Sequence, residues 1–253
     1  MMERTYCMVL LLILPVIAGC VVIHSPPDSP GNPAAYHYQM GLSFLGERNY
    51  TGALVELTEA EKLDPENAEL LYNLGMAYIG KKRPDLAEQK FQRALMLKPD
   101  YAAARYDLGF AYLELKRWDN AIQQFRIVKD DLFYDNSENA AINLGRAYMG
   151  KGDYQKALEE LRTVEAGNPR NPIIHLSLGR VWFAMDNIEQ AVDEYRKALA
   201  IHKDYGAAHY HLGLAYLKQK NLDGAKTAFK EVLRIFPESE LGKASQGYLE
   251  LIK

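Results

Sequence analysis

Glycine returns along this chain at Gly41, Gly75, Gly109, Gly145, Gly179 and Gly213, at intervals of 34, 34, 36, 34 and 34 residues. Twelve residues after each stands an alanine: Ala53, Ala87, Ala121, Ala157, Ala191 and Ala225. A large apolar residue precedes each glycine (Met40, Leu74, Leu108, Leu144, Leu178, Leu212), and an aromatic stands three residues after it (Phe44, Tyr78, Tyr112, Tyr148, Trp182, Tyr216). A small or branched residue recurs near the end of each unit, at Ala60, Ala94, Val128, Val164, Ala198 and Val232. A period in this range means that the chain is a stack of one repeated supersecondary unit, not a fold around a single core.

Each unit holds two segments with apolar residues at the helical period. In the second unit these are Leu71, Leu74 and Tyr78, then Leu86, Phe91 and Leu95. Lys81 to Asp85 lies between them, and Pro84 suits the first turn of the helix that follows. The recurrent Gly and Ala remove side chains where two antiparallel helices cross, and the aromatic three residues after the glycine is expected to fill the remaining gap. One helix pair cannot bury its own apolar face, so the units must stack and the last must be closed. Glu240 to Lys253 reads as that closing helix, with Leu241, Ala244, Tyr248, Leu249 and Leu251 packed back and Lys243, Gln246, Glu250 and Lys253 in water. The pattern resembles the tetratricopeptide repeat, a helix-turn-helix, from Ala34 to Ser239. The resemblance implies an all-α fold, a right-handed solenoid of six helix pairs at 34–67, 68–101, 102–137, 138–171, 172–205 and 206–239, plus a C-terminal capping helix at 240–253.

Composition narrows the partners. Lys+Arg number 30 and Asp+Glu 33, so the net charge is -3 and the concentrated basic face that phosphate binding needs is missing; no nucleic acid partner is expected. Both cysteines, Cys7 and Cys20, fall within the first twenty residues, which leaves the repeats without a disulfide framework or a cysteine-built metal site.

Those first residues read as an address. Tyr6 to Ile23 is an apolar run of 18 that follows Arg4 and holds Pro15, Ala18 and Gly19. Ile17-Ala18-Gly19-Cys20 resembles the bacterial lipobox, which implies a signal peptide at 1–19 and acylation of Cys20. An uncleaved membrane anchor is the alternative, since 18 apolar residues lie at the lower edge of what spans a bilayer. Several acyl chains, at about 0.8 kcal/mol per buried methylene, would hold the protein on a membrane where one would not. Residues 20–33 then form a tether rich in proline (Pro26, Pro27, Pro30, Pro33). Val21, after the cysteine, fits the sorting rule for an outer-membrane lipoprotein facing the periplasm.

In tetratricopeptide arrays the first helix of each unit lines a concave groove. With the repeat glycine as position eight, the inward positions supply Tyr38, Tyr72, Met76, Tyr106, Phe110, Arg146, Arg180 and Tyr210 as candidate partner-binding residues. Tyrosine suits such a surface, giving contact area at little entropic cost and a polar tip for a peptide backbone. Arg146 and Arg180 share one register, so two guanidinium groups could bind a carboxylate or an acidic segment; the alternative is pairing with acids of the same chain, such as Glu138 or Asp186. The row at position twelve (Leu45, Ile79, Leu113, Met149, Phe183, Leu217) reads as core between helices.

No catalytic constellation is present: there is no phosphate loop and no nucleophile elbow, and no enzyme activity, cofactor or metal site is expected. His175 and His209 share a register, too far apart to hold one ion, and His209 and His211 face different ways on a helix.

The third unit is 36 residues long and lacks the closing proline, its second helix reading on through Lys129 to Ser137. This insertion, with Leu132, Phe133 and Tyr134 at its centre, joins Cys20 and the six units in a pattern that resembles the type IV pilus biogenesis and stability lipoproteins, the pilotins. That resemblance implies a scaffold, not an enzyme, which helps the pilus secretin assemble and localise, with a secretin subunit or one of its segments as protein partner and the membrane as the second contact, through acylated Cys20. That family's Asn-Asn-Tyr-Gly run is replaced here by Tyr106-Asp107-Leu108-Gly109. The alternative is a general periplasmic adaptor for another envelope machine, such as polysaccharide export.

Overall fold

The computed structural model describes residues 31–131, 134 and 136–252. The expected signal peptide, Cys20, most of the tether, Leu132 and Phe133 lie outside the described residues. Among those described, thirteen α-helices and no strand form six pairs and a closing helix. The pairs are α1 (Pro33–Gly46) with α2 (Tyr50–Leu63), α3 (Ala68–Gly80) with α4 (Pro84–Leu97), α5 (Ala102–Glu114) with α6 (Trp118–Lys129), α7 (Ser137–Lys151) with α8 (Tyr154–Gly167), α9 (Pro172–Ala184) with α10 (Ile188–Ile201), and α11 (Gly206–Lys218) with α12 (Leu222–Ile235). Helix α13 (Glu240–Leu251) closes the stack.

Local chemistry starts the helices where they start. Asn32, Asn49, Asn67, Asn171, Asn221 and Ser239 each accept a hydrogen bond from a first-turn backbone N–H, and prolines open α1, α4 and α9. The turn inside each pair is also shared. The residue seven after each repeat glycine has positive φ: Arg48, Lys82, Lys116, Asp186 and Lys220 lie between 56° and 64°, and Gly152 lies at 90°. In each turn the next N–H reaches back to the carbonyl of the repeat aromatic, as in Arg83 N–H to Tyr78 O at 2.9 Å and Asn187 N–H to Trp182 O at 2.9 Å. This is a Schellman closure, which uses up carbonyls the helix end would otherwise leave bare. Gly152 alone sits beyond the narrow left-handed basin open to L-residues, with open space where a Cβ would stand. Gly152→Ala should therefore cost about 1 kcal/mol from backbone strain alone, read as a lowered urea midpoint at unchanged slope.

The helix crossing is tight for the reason expected, but a different residue fills it. A Cβ on Gly75 would stand 2.3 Å from the Phe91 ring, on Gly179 2.4 Å from the Tyr195 ring, and on Gly41 2.5 Å from Leu57. Gly109, Gly145 and Gly213 meet Phe125, Leu161 and Phe229 in the same way, so the occupant is always the residue sixteen after the glycine. The aromatic three residues after it packs elsewhere: Phe44 and Tyr216 lie against the first turn of the second helix, at Gly52 and Gly224. Tyr112 accepts a hydrogen bond from Gln92 at 2.9 Å, and Tyr148 and Tyr216 accept from Arg126 and Arg196, each tying one unit to the one before.

Successive helices pack against each other along the whole chain, and first helices also touch the next first helix, α1 with α3, α3 with α5 and onward to α11 with α13. Second helices make no such direct row. The first helices therefore form the inner, tighter side of the ribbon. The second helices are bridged on the outside by ion pairs such as Lys90–Glu61 (2.6 Å), Arg93–Glu61 (2.9 Å) and Lys129–Glu160 (3.0 Å).

Two expectations need correction. Helix α6 does not read on through the insertion: it ends at Lys129, and residues 130–136 lead to α7, with the Tyr134 N–H bonded to Asp131 O at 3.3 Å. On the closing helix, Leu251 does not pack back but is 81% exposed, on the side turned away from the face that holds Leu241, Ser245, Tyr248 and Ile252; Gly242 and Ser245 are the buried residues.

Candidate functional site

The inner side divides into two halves. Through the first units runs a ladder of tyrosines. Asn73 donates to the Tyr38 hydroxyl at 3.0 Å, the Tyr72 hydroxyl donates to Asp107 at 2.9 Å, and Asn143 donates to the Tyr106 hydroxyl at 2.8 Å. Each rung joins position five of one unit to position six of the next. The rings are held from both sides: Tyr72 lies between Phe91 (5.8 Å) and Tyr101 (5.1 Å), and Tyr106 between Phe125 (5.7 Å) and Tyr134 (6.0 Å). Tyr134 is thus where the insertion reaches the groove: it covers Tyr106 as Tyr101 covers Tyr72.

This changes what the tyrosines offer. The Tyr72 hydroxyl is spent on Asp107, whereas Tyr38 and Tyr106 accept from amides and keep their own O–H for a ligand acceptor. Burial raises the pKa values of Tyr38, Tyr72 and Tyr106, and for Tyr72 the Asp107 carboxylate adds to it. Asp107 is partly buried, and desolvation pushes its pKa up to about 6 against the opposing Tyr72 hydrogen bond. Met76 and Phe110 are partly buried against the same core and form the apolar floor. At position twelve Leu113 is buried and Ile79 and Met149 pack against the core, so this row is core, as expected.

Beyond the fourth unit the ladder stops, because position five becomes Ile142 and Leu176, both buried. Arginines take over. Arg146 reaches Glu114 at 3.4 Å across an exposed pair, not Glu138, which is held by Asn168 and Asn171. Asp186 pairs with Lys218. Arg180 has neither expected acid: among the described residues it makes no ion pair and no hydrogen bond, and burial and the Arg146 charge lower its pKa. Beside it stand Tyr205, Tyr195 and His211, whose ring stacks on Tyr195 at 5.8 Å. Burial and then the Arg180 charge take the His211 pKa down to about 4. Tyr210 is half-buried and packed by Phe229 (6.0 Å) and by Tyr248 of the closing helix (6.3 Å).

His175 and His209 hold the fold together. His175 lies with Nδ1 at 2.8 Å from Glu194 and Nε2 at 3.0 Å from Pro169 O; His209 Nε2 meets Lys203 O at 2.9 Å, and Arg105 reaches Pro99 O in the same register at 2.6 Å. Each clips a first helix to the turn before it. Glu165, His175 and Glu194 bring ligand-type atoms within 4.8 Å of one another, the one grouping among the described residues that could hold a metal. Arg162 (3.1 Å) and Lys197 (3.1 Å) already neutralise Glu194, however, so a metal ion would have to enter against two cations.

Among the described residues, no helix is long and apolar enough to cross a membrane. No curated protein matches the sequence significantly. Similar solved structures include a type IV pilus biogenesis factor, PilW, at 21% identity and TM-score 0.71, covering 84% of this chain and 98% of that one. PilF of Pseudomonas aeruginosa matches at 20% identity and TM-score 0.63, over 85% of this chain and 97% of that one. A tetratricopeptide repeat protein from Parabacteroides merdae matches at 18% identity and TM-score 0.74, over 88% and 86%. At such identities these show the fold. Models of the tetratricopeptide repeat match residues 38–102 and 142–204, and in a second form 81–131 and 183–246. With the period, the glycine crossings and the Schellman turns all in that pattern, the chain belongs to the tetratricopeptide repeat family.

Proposed function

We propose that this protein is a lipid-anchored scaffold that helps an outer-membrane secretin assemble and localise for type IV pilus biogenesis. At the coarser level it is a tetratricopeptide protein-binding scaffold, since such arrays bind protein partners or peptides and are typically not enzymes. The observation that carries the finer reading is a conjunction: a lipobox ending at Cys20, followed by six units and an insertion after the third, in a chain that matches PilW and PilF over nearly their whole lengths. In this reading the acylated Cys20 holds the array on the outer membrane, facing the periplasm, and the inner side of the ribbon receives the partner.

The test is made in the parent bacterium. Deletion should abolish detergent-resistant secretin multimers while monomer remains, and Cys20→Ala should release the protein from the membrane fraction and lower the yield of multimers. Normal multimers in the deletion strain would refute the pilus role.

A further inference from the structure

We propose that Arg180, supported by Arg146, is a receptor for an aspartate or glutamate side chain on the partner protein. The inference rests on the reading that the inner side of the ribbon is the partner surface, and it specifies the chemistry of what binds there. Cations of this array that lack an acid among the described residues, such as Arg48, Lys82, Arg126, Arg170 and Arg196, are mostly exposed to water, whereas half-buried Lys90 and Lys129 each have one. Arg93, Arg117, Arg162 and Arg234 all pair with carboxylates, as do Lys90, Lys129, Lys151 and Lys218. Arg180 stands in the groove, partly withdrawn from water, with no acid and no hydrogen-bond acceptor among the described residues. A guanidinium has five donors in a planar fork, and on this half-buried one none is taken by an acceptor of the described residues, which leaves the fork to an acceptor that a partner brings.

The surroundings fit a carboxylate. The neighbouring charge is another cation, Arg146, whose one acid, Glu114, is a loose exposed partner at 3.4 Å. The Tyr195 hydroxyl is buried without a hydrogen-bond partner, beside Gly179 and within reach of the Arg180 charge. His211 stacks on Tyr195 as an uncharged ring, so it does not add a competing positive site. A carboxylate on Arg180 would meet a bidentate donor in an environment that screens the pair weakly. The chain's net charge of -3 means that an acidic peptide is not drawn here by overall charge.

The probe is a hexaglutamate peptide with blocked ends, titrated against the full-length protein by calorimetry, with hexaglutamine and free-ended diglycine as controls. Saturable one-to-one binding of hexaglutamate alone is expected, weakened about tenfold or more in Arg180→Met and only partly in Arg180→Lys, which keeps the charge but loses the fork. Arg180→Met should also melt no lower than the parent, because it removes an unpaired cation, not a structural tie. Absence of hexaglutamate binding, equal binding by Arg180→Met, preference for the free carboxy-terminus of diglycine, or a lowered melting temperature in Arg180→Met would each overturn the proposal. The secretin assay above is independent: multimers lost on deletion but unchanged in an Arg180→Met strain would sink this site and leave the pilus reading standing.

Discussion

Phe91→Ala is expected to lower stability by about 3–5 kcal/mol, seen as an early urea transition of the helical signal. Phe91 is fully buried, and its ring occupies the place over Gly75 where no Cβ can stand. It also backs Tyr72, so truncation removes the inner wall of the groove together with the helix crossing. Neither helix can close the gap, because the glycine opposite contributes no side chain that could move in. Phe91→Leu should cost less than about 1.5 kcal/mol, since volume-conserving apolar swaps are tolerated and Leu57 and Leu161 already fill the same place over Gly41 and Gly145. If Phe91→Ala lies within 1 kcal/mol of the parent, the crossing is not held as described here.

Asp107→Asn is expected to stabilise the protein at neutral pH by about 2 kcal/mol and to give it a pH response that the parent lacks. The Asp107 carboxyl titrates near pH 6 in the fold and near its ordinary value when unfolded. Between those values the folded chain holds the extra proton, so stability rises as pH falls through this window, and the full cost of the buried charge is present at pH 7. His211 acts oppositely. Its ring stays neutral in the fold down to about 4, while the unfolded chain takes up a proton below its ordinary value near 6.5, so stability falls with pH over nearly the same span. The two contributions, each about 3 kcal/mol at most, offset one another in the parent. The amide keeps an acceptor for the Tyr72 hydroxyl, as Asn73 and Asn143 occupy the equivalent places beside Tyr38 and Tyr106. Denaturant titrations from pH 7 to pH 4 should therefore show a nearly flat parent and a variant that starts higher and declines. A variant that is weaker at pH 7 would show that the buried carboxylate is a stabilising partner, contrary to this account.

The repeat glycines and alanines made the helix pairs, their number and the closing helix readable from the sequence, because close backbone approach imposes a residue type at a fixed interval. The filler of the crossing was equally written there, as Leu57, Phe91, Phe125, Leu161, Tyr195 and Phe229. The aromatic three residues after each glycine is the more uniform mark and masks it, although the work of that aromatic is at the turn and between units. The tyrosine ladder was half legible: Tyr38, Tyr72 and Tyr106 stood out, but their partners lie 35 to 37 residues away, and only the stacking angle decides that they meet. Ion pairs were the least legible. Long flexible side chains choose among several acids within reach, so Arg146 found Glu114 rather than Glu138, and nothing in the spacing shows that Arg180 is left without one.

Because every helix rests only on those beside it, with first helices in a continuous inner row and the outer row joined by side-chain bridges, this protein has the mechanics of a coiled spring. Its curvature is the sum of small unit-to-unit angles, each softened by bridges that can break and re-form at little cost. A guest can therefore tighten or open the whole arc without melting any one turn, and a pull between its ends would be shared along the array instead of falling on a single interface.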